Sequence, residues 1–290
     1  MNFLDYFPES YVSDYYREIH PDLHHMSEEE LYQHFIQFGR EEGRQSSPFL
    51  PRRDLSALLN TPIPILEIGP LCNPLATGPH VRYFDLLSSQ EIHDWTKQQQ
   101  ISPVKIPETI HYHSKEGDLG IVDAQFALVI SSHCLEHQTD LIAHLQHVER
   151  ILSDGGCYLL YVPDKRYCFD HFLPVSTLIQ VVAAHLDQQH LHTAEHLLNH
   201  RLLTTHNDPV RHWQGDHGQN VLHMEHLKEM LMQWRAHKQN ALDIHAWQFT
   251  PQTLTIILQQ LQVLSFNHLR IARLFHTLRN SFEFFVVLQK

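Results

Sequence analysis

The stretch ILEIGPLCNPL, residues 65–75, decides the fold of this chain. It begins as an apolar run that is interrupted by one carboxylate, Glu67, and it breaks into a turn at Gly69 and Pro70. A continuous apolar run is typical of a strand that is buried on both faces of a parallel sheet. In such sheets ligands bind beyond the carboxyl ends of the strands, so the turn predicts one wall of a binding crevice. A purely structural turn explains Gly69 equally well, so the pattern of the remaining chain decides between the two interpretations.

Strands and helices alternate after this stretch. Residues 140–152 have helical spacing and stop at Asp154, Gly155 and Gly156, and a second helix over 250–264 begins with Thr250 as its cap. The further predicted strands are HVRYFDL (80–86), TIHYH (109–113), QFALVISS (125–132), CYLLYVP (157–163), LRIARLFHT (269–277) and SFEFFVVLQK (281–290). The alternation predicts an α/β fold with an open, mostly parallel sheet. The last two strands are joined by a short turn near Asn280, which predicts an antiparallel hairpin at one edge.

The composition narrows the function classes. Apolar residues make up 42% of the 290-residue chain, which is enough for a large core, and the net charge is -12 with only 21 lysines and arginines. An acidic chain is a poor electrostatic match for nucleic acid or an anionic membrane. No apolar run approaches the roughly 20 residues of a membrane span, and the start lacks the pattern of a signal peptide, so we expect a cytoplasmic protein. The four cysteines show no CxxC pairing and are interpreted as reduced thiols.

Two regions depart from the strand–helix rhythm. Residues 1–48 predict a separate helical module, in which Ser27 and Glu30 form a capping box, and residues 46–54 predict a linker. Residues 49–290 then form one α/β domain, and the polar, histidine-rich segment 166–248 predicts a helical cap inserted after the fifth strand.

Ordered motifs resemble a known family. ILEIGP, RYFDLLS, VISSHCLEH, RILSDGG and YLLYVPDKRYCFD, in this order, resemble the class I S-adenosylmethionine-dependent methyltransferases over roughly residues 50–290. The EIGPL and VPDKRYCFD versions are similar to one bacterial branch of that family. The resemblance implies a Rossmann-like sheet of seven strands, with S-adenosylmethionine as the methyl donor and S-adenosylhomocysteine as the product.

The N-terminal YYREIHPDL…HFIQFGREEGR resembles a short module that accompanies bacterial glycosyltransferases and glycan-modifying enzymes. The two resemblances together imply O-methylation of a sugar or glycan intermediate in bacterial polysaccharide biosynthesis. They also imply a glycan-biosynthesis protein as a partner of the N-terminal module.

The resemblance also implies a donor site. Glu67 and Gly69 match the strand and turn that bind the methionine part, and Asp85 matches the acid that accepts hydrogen bonds from the ribose hydroxyls. The complete predicted donor set is Glu67, Gly69, Pro70, Asn73, Asp85, Leu86, Gly117, Asp118, Ser132 and His133. The chain departs from the family pattern at Leu71, where many relatives have a second glycine, and at Ala127, where relatives usually have an aspartate.

Two histidines after the fourth strand are the candidate catalytic residues. A hydroxyl acceptor must lose its proton, and His133 is placed to act as the base, with His137 one turn later orienting it or contacting the acceptor. Their structural alternative is that His133 caps the helix and His137 packs. After the fifth strand, the predicted acceptor-binding residues are Asp164, Lys165, Arg166 and Tyr167, although the same four residues could anchor the cap.

Histidine is unusually abundant, with 27 residues, of which ten lie within 185–226. The pair His192 and His196 shares a helix face, and His212, Asp216 and His217 form a second polar group that would suit a divalent metal. These spacings are not diagnostic of metal binding, so we assign no metal.

Two other functions compete with the glycan O-methyltransferase. The acceptor could be a small metabolite or an amine, which only needs to be presented in its neutral form. The irregular adenine segment HYHSKEGDLG and the missing aspartate at Ala127 instead fit a non-catalytic scaffold for a glycan-assembly complex.

Overall fold

The computed structural model of the protein describes residues 3–102, 105–220, 227–228, 230, 232, 234 and 242–290. The strands are β1 (Ile65–Ile68), β2 (Val81–Asp85), β3 (Tyr112–His113), β4 (Phe126–Ser132), β5 (Leu152–Pro163), β6 (Arg270–Phe275) and β7 (Glu283–Gln289). The α-helices are α1 (Ser13–Ile19), α2 (Glu28–His34), α3 (Pro51–Leu59), α4 (Ser89–Gln98), α5 (Leu141–Ile151), α6 (Leu178–Leu186), α7 (Ala194–Leu202), α8 (Pro209–Trp213) and α9 (Pro251–Val263). Short 3₁₀ or π turns cover Phe3–Tyr6, Pro21–Leu23, Phe35–Gly39, Leu119–Ile121 and Leu135–His137.

The seven strands form one sheet in the order β3-β2-β1-β4-β5-β7-β6. Strands β1 to β5 are parallel, and β7 pairs antiparallel with both β5 and β6. The predicted α/β fold, with its Rossmann-like seven-stranded sheet and C-terminal antiparallel hairpin, is therefore confirmed. The strand order reverses between β1 and β4, which places a topological switch point beside the turn after Ile68.

Three details of the sheet and its connections differ from the prediction. The expected strand 109–113 is reduced to Tyr112–His113, and the expected strand 157–163 begins already at Leu152. The predicted linker over 46–54 is wrong for its last four residues, because α3 starts at Pro51 and turns Leu55 and Leu59 toward the sheet. The cap Thr250 and first residue Pro251 of α9 are confirmed.

The core lies on both faces of the sheet. One face carries Leu66, Val129 and Tyr158 and is covered by α5, α6 and α9. The opposite face is covered by the N-terminal segment and by α3; its buried residues include Phe3, Phe7, Leu55, Ile65, Leu128, Ile130, Leu159, Phe285 and Val287. A sheet buried on both faces explains the near-continuous apolar runs of β1, β4 and β5.

The N-terminal segment packs directly on the large domain. The capping box of Ser27 and Glu30 is present at the start of α2, as predicted. Phe7 is 2% exposed, and its ring centroid lies 6.5 Å from that of Phe285 in β7. Glu41 forms an ion pair with Arg166 at the rim of the sheet. The boundary between a module over 1–48 and a domain over 49–290 remains a prediction, and both parts share the core described above.

The segment between β5 and α9 is helical where the structure describes it, and its role as a cap remains a prediction. Helices α6, α7 and α8 lie within the proposed range 166–248, while residues 221–226, 229, 231, 233 and 235–241 of that range lie outside the described residues. No helix in the described ranges is long and apolar enough to cross a membrane.

Candidate active site

An open cleft of about 770 Å³ lies at the carboxyl ends of β1 and β4. The residues that line it come from β1 and the turn after it, from the end of β4 and the turn after it, from α3, from the start of α8 and from the turn into β7. They are Arg52, Glu67, Gly69, Pro70, Leu71, Cys72, Asn73, Leu75, Ser132, His133, Cys134, Pro209, Asn280, Ser281, Phe282 and Glu283. The cleft therefore lies at the switch point, where open α/β sheets bind their ligands.

The turn after β1 requires its glycine. Gly69 has a φ of +69°, and its N–H donates to the carbonyl of Phe84, 2.8 Å away. A Cβ at this position would lie 2.5 Å from Sγ of Cys134. The turn is therefore held against both neighbouring strands, and its residues Pro70 and Asn73 line the cleft.

The two predicted donor-binding carboxylates hold this turn in place. Oε1 and Oε2 of Glu67 accept hydrogen bonds from the backbone N–H groups of Leu75 and Ala76, at 2.8 and 3.0 Å. Burial raises the pKa of Glu67 to about 7, although these two donors act in the opposite direction. Oδ2 of Asp85 accepts from the N–H of Leu71 at 3.1 Å, and burial also raises the pKa of Asp85. Contact of either carboxylate with a donor molecule remains a prediction.

Leu86, Gly117 and Asp118 of the predicted donor set lie beyond the end of β2, and the last two belong to the segment HYHSKEGDLG that is expected near the adenine. Leu86 is 43% exposed, and a Cβ on Gly117 would lie 3.4 Å from one of its methyl groups. The N–H of Asp118 donates to Oγ of Ser114, whose own N–H donates to the carbonyl of Asp85. Leu86, Gly117 and Asp118 therefore lie together next to Asp85, and all four lie outside the cleft lining. Their contact with a nucleoside remains a prediction.

His133 is held by a carboxylate that the sequence did not point to. Its Nε2 is hydrogen-bonded to Oε2 of Glu283 at 2.8 Å, and Glu283 also accepts two hydrogen bonds of 2.6 Å from the guanidinium of Arg52. The guanidinium lies 3.8 Å from the ring centroid of Tyr161 and donates to Oγ of Ser132 at 2.8 Å. Glu283 therefore orients the imidazole through Nε2, as a third group orients a catalytic base. The other nitrogen, Nδ1, lies 3.7 Å from Oε1 of Glu136.

This arrangement makes a prediction about pH. Burial opposes ionisation of Glu283, but the hydrogen bonds from Arg52 and His133 outweigh it and lower the pKa of Glu283 from 4.5 to about 2. A depressed carboxyl pKa stabilises the folded state above the unfolded value, and this contribution is lost as the pH falls through the folded value. Glu283→Gln should therefore be less stable than wild type at neutral pH, and urea unfolding should show the difference shrinking between about pH 4.5 and about pH 2. Exposed Glu108 provides the control Glu108→Gln; an equally large stability difference for Glu283→Gln across this range would contradict the prediction.

The other predicted site residues lie outside the cleft lining. Nε2 of His137 lies 4.0 Å from Oε1 of Glu136, and its ring centroid lies 4.7 Å from that of His245. Asp164 is fully buried and accepts hydrogen bonds from Arg166 and from Oγ1 of Thr277 at 2.7 Å.

The side chains of Lys165 and Tyr167, in the same segment, also contact other parts of the protein. Nζ of Lys165 donates to the carbonyl of His171, and the ring of Tyr167 stacks on Trp213 at 3.9 Å. Residues 164–167 therefore make contacts within the protein, as expected if they anchor the cap instead of binding the acceptor. Their role in acceptor binding remains a prediction.

The two histidine groups considered in the cap also have defined surroundings. His192 and His196 have ring centroids 5.6 Å apart, and Asp216 forms an ion pair with Arg211. His212 and His217 share a hydrogen bond between their Nδ1 atoms at 3.0 Å.

Comparisons with known proteins give structural neighbours but no family. No family model and no curated protein matches this chain. Magnesium protoporphyrin IX methyltransferase (ChlM) from Synechocystis PCC 6803 with bound SAH is 11% identical over 91% of this chain and 100% of its own, with a TM-score of 0.37. The CcbJ methyltransferase from Streptomyces caelestis is 11% identical over 83% of this chain and 96% of its own, with a TM-score of 0.39.

Other alignments are partial. A S-adenosylmethionine-dependent methyltransferase from Clostridium acetobutylicum ATCC 824 is 14% identical over 39% of this chain and 47% of its own, with a TM-score of 0.26. The chain thus spans about half the length of that structure. The fold assignment rests on the order and direction of the seven strands.

Proposed function

We propose that this protein is an S-adenosylmethionine-dependent methyltransferase that O-methylates a sugar or glycan intermediate of bacterial polysaccharide biosynthesis in the cytoplasm. One observation carries the proposal: the turn at Gly69 and the base candidate His133 line the same cleft at the switch point of the sheet, with Asp85 directly behind the turn. The ordered motifs that resemble class I methyltransferases support S-adenosylmethionine as the donor. The N-terminal resemblance supports a glycan as the acceptor.

The donor would extend from the cleft toward the end of β2, where the residues assigned to its nucleoside part lie outside the cleft lining. The turn from Gly69 to Asn73 would bind the methionine part, and its backbone can approach the ligand closely because residue 69 has no side chain. The ribose would lie toward Asp85, and the adenine would lie against Leu86 and Gly117. The sulfonium methyl would then face the end of β4, where Ser132 and His133 lie.

The reaction would be an in-line displacement. The acceptor oxygen forms a bond to the methyl carbon while the carbon–sulfur bond breaks and its electron pair returns to sulfur, which yields S-adenosylhomocysteine. His133 takes the hydroxyl proton, and Glu283 and Arg52 hold the imidazole in place. Alignment of donor and acceptor and exclusion of water supply much of the rate.

A second cavity next to the donor cleft would hold the acceptor. This cavity of about 270 Å³ lies between residues 44–53 and the strands β6 and β7, and it shares Arg52, Ser281 and Glu283 with the donor cleft. Aromatic rings and guanidinium groups line it, among them Phe49, Tyr161, Phe275, Arg44 and Arg53. The aromatic rings suit the apolar face of a sugar ring. The guanidinium groups of Arg44 and Arg53 are already paired with Asp22 and Asp54.

The N-terminal module offers a surface for a glycan-biosynthesis partner. Tyr32 and Phe38 are 47% and 53% exposed there. Exposed aromatic side chains are enriched in protein interfaces, so this surface supports the proposed partner.

Calorimetric titration with S-adenosylmethionine and with S-adenosylhomocysteine tests the donor half. We expect micromolar binding of both, followed by transfer of labelled methyl to sugar nucleotides or lipid-linked saccharides. Methylation of amines but not of saccharides would favour the amine alternative. If neither compound binds, the proposed enzymatic function would be wrong and the non-catalytic scaffold would be favoured.

Asp85→Asn is expected to weaken donor binding by about tenfold or more, which corresponds to about 1.4 kcal/mol. The amide keeps the shape of the side chain, but it loses one oxygen that accepts from Leu71 or Leu87 and it presents N–H groups toward the same donors. Calorimetry on the variant measures the loss. Asp94→Asn on α4 is the control, because Asp94 has a 55% exposed side chain. Equal affinities of Asp85→Asn and wild type would show that the donor binds elsewhere.

A further inference from the structure

A buried carboxylate without hydrogen bonds lies directly behind the base candidate. Glu136 belongs to the 3₁₀ turn Leu135–His137 after β4, and its side chain has 0% exposure. Neither Oε1 nor Oε2 has a hydrogen-bond partner among the described residues. A carboxylate that is removed from water and left unpaired costs several kcal/mol, about the scale of a broken buried ion pair, so it must either be protonated or have a positively charged partner.

Imidazole nitrogens surround this carboxylate at a distance too long for hydrogen bonds. Oε1 lies 3.8 Å from Nε2 of His245, 4.0 Å from Nε2 of His137 and 3.7 Å from Nδ1 of His133. The ligand atoms of Glu136, His137 and His245 all lie within 4.8 Å of one another. First-row metal ions bind such ligands at about 2.0–2.2 Å, so small side-chain rotations would bring the three groups onto one ion.

The orientation of His245 selects one of its nitrogens for this site. Its Nδ1 is hydrogen-bonded to Oδ2 of Asp170 at 2.6 Å, and Asp170 is 1% exposed. A proton on Nδ1 leaves the lone pair of Nε2 directed at the side of Glu136. Histidines that bind a metal through one ring nitrogen commonly donate the N–H of the other nitrogen to a carboxylate, which fixes the orientation of the ring.

We propose that Glu136, His137 and His245 bind a divalent transition-metal ion, with Asp170 as the carboxylate that orients His245. Two imidazoles and one carboxylate suit zinc, manganese or ferrous iron and leave coordination positions for water or a further ligand. The site goes beyond the proposed methyl transfer, and it gives His137 the role of a ligand instead of a catalytic residue.

The ion would join two parts of the chain. Glu136 and His137 follow β4, whereas His245 precedes α9, and the N–H groups of Ala246 and Trp247 already donate to the carbonyl of Glu136. The site lies on the side of His133 away from Glu283, so the ion would also fix the position of that histidine.

A second histidine cluster in the same protein is the matched comparison. His171, His212 and His217 also converge, but Nδ1 of His171 is bonded to the carbonyl of Arg166 and Nε2 of His212 to the carbonyl of His206. This cluster has no carboxylate, and its members already have partners. It would bind metal less well than the site at Glu136.

The test measures metal binding by the full-length protein directly. The protein is stripped with a chelator, titrated with zinc chloride or manganese chloride by calorimetry, and analysed for bound metal after desalting. We expect one tightly bound ion per chain in wild type and in His217→Ala, and at least about tenfold weaker binding in Glu136→Gln and His245→Ala.

Folding of each variant is followed by circular dichroism and thermal unfolding. A variant that folds but loses the ion supports the site. Glu136→Gln is chosen because glutamine keeps the shape of the glutamate side chain, so the variant should fold. Wild type that binds neither zinc nor manganese would overturn the proposal, since the carboxylate would then be balanced by a proton. Loss of the ion in His217→Ala together with retention in Glu136→Gln would overturn it in favour of the second cluster. Donor binding by calorimetry is independent of these results.

Discussion

Replacement of His133 by alanine is expected to lower the rate constant of methyl transfer by about 10²–10⁴-fold while the affinity for S-adenosylhomocysteine changes little. His133 is held at the cleft by Glu283, and in the proposed reaction it takes the proton of the acceptor hydroxyl. The backbone of residue 133, which carries a φ of +53° and donates its N–H to the carbonyl of Tyr161, remains in place in the variant. Single-turnover transfer of labelled methyl measures the rate, and calorimetry measures donor binding.

Two further variants test whether the loss of rate is specific to the imidazole of His133. Glu283→Gln should reduce the rate less than His133→Ala and should shift the pH profile, because it disturbs the orientation of the imidazole without removing it. His268→Ala is the control, since His268 is 77% exposed and pairs with Glu149. If His133→Ala retained the wild-type rate, no base would act at this position, and an amine presented in its neutral form would become the better acceptor.

Gly69→Ala is expected to destabilise the fold by about 2–5 kcal/mol. The residue has a φ of +69°, a conformation that costs an L-residue about 1–2 kcal/mol. The added Cβ would also lie 2.5 Å from Sγ of Cys134, and overpacking of this kind adds about 1–3 kcal/mol. Denaturant unfolding measures the loss, and donor binding should weaken in parallel because the turn must shift.

The two causes can be separated. Gly155 has a φ of +73° and nothing within 4 Å of an added Cβ, so Gly155→Ala carries only the conformational cost. In the double variant Gly69→Ala, Cys134→Ala the nearest atom of residue 134 is its Cβ at 4.0 Å, so part of the stability should return. Equal losses for Gly69→Ala and Gly155→Ala would show that the contact with Cys134 relaxes without cost.

The sheet could be predicted from local patterns because its strands are buried on both faces. Apolar runs of this kind mark β1, β4 and β5, and the pair of strands around Asn280 marks the hairpin. The weak strand near Tyr112 was overestimated because only two residues pair with β2. The start of α3 was missed since a proline and two arginines resemble a linker, whereas the buried Leu55 and Leu59 define the helix.

The site was predictable only where its residues adjoin a strand end. Gly69 and His133 directly follow β1 and β4, and Asp85 is the last residue of β2, so the topology brings them together. Glu283 and Arg52 are separated by 231 positions, and no local pattern links them.

The same limitation applies to the proposed metal site. The sequence pointed to histidines within 185–226, where they are dense, whereas the buried carboxylate Glu136 converges with His245 from beyond that range. Convergence of dispersed residues requires the complete fold.

The ion pair between Arg52 and Glu283 also has a consequence for the protein during its synthesis. A ribosome that adds roughly 5–20 residues per second needs about 10–50 s to translate the 231 positions between them. Until β7 emerges and pairs with β5, the guanidinium on α3 has no carboxylate and His133 has no partner on its Nε2 from that strand. A nascent chain interrupted before residue 283 therefore cannot assemble this pocket, so methyl transfer would begin only after translation has passed the last strand.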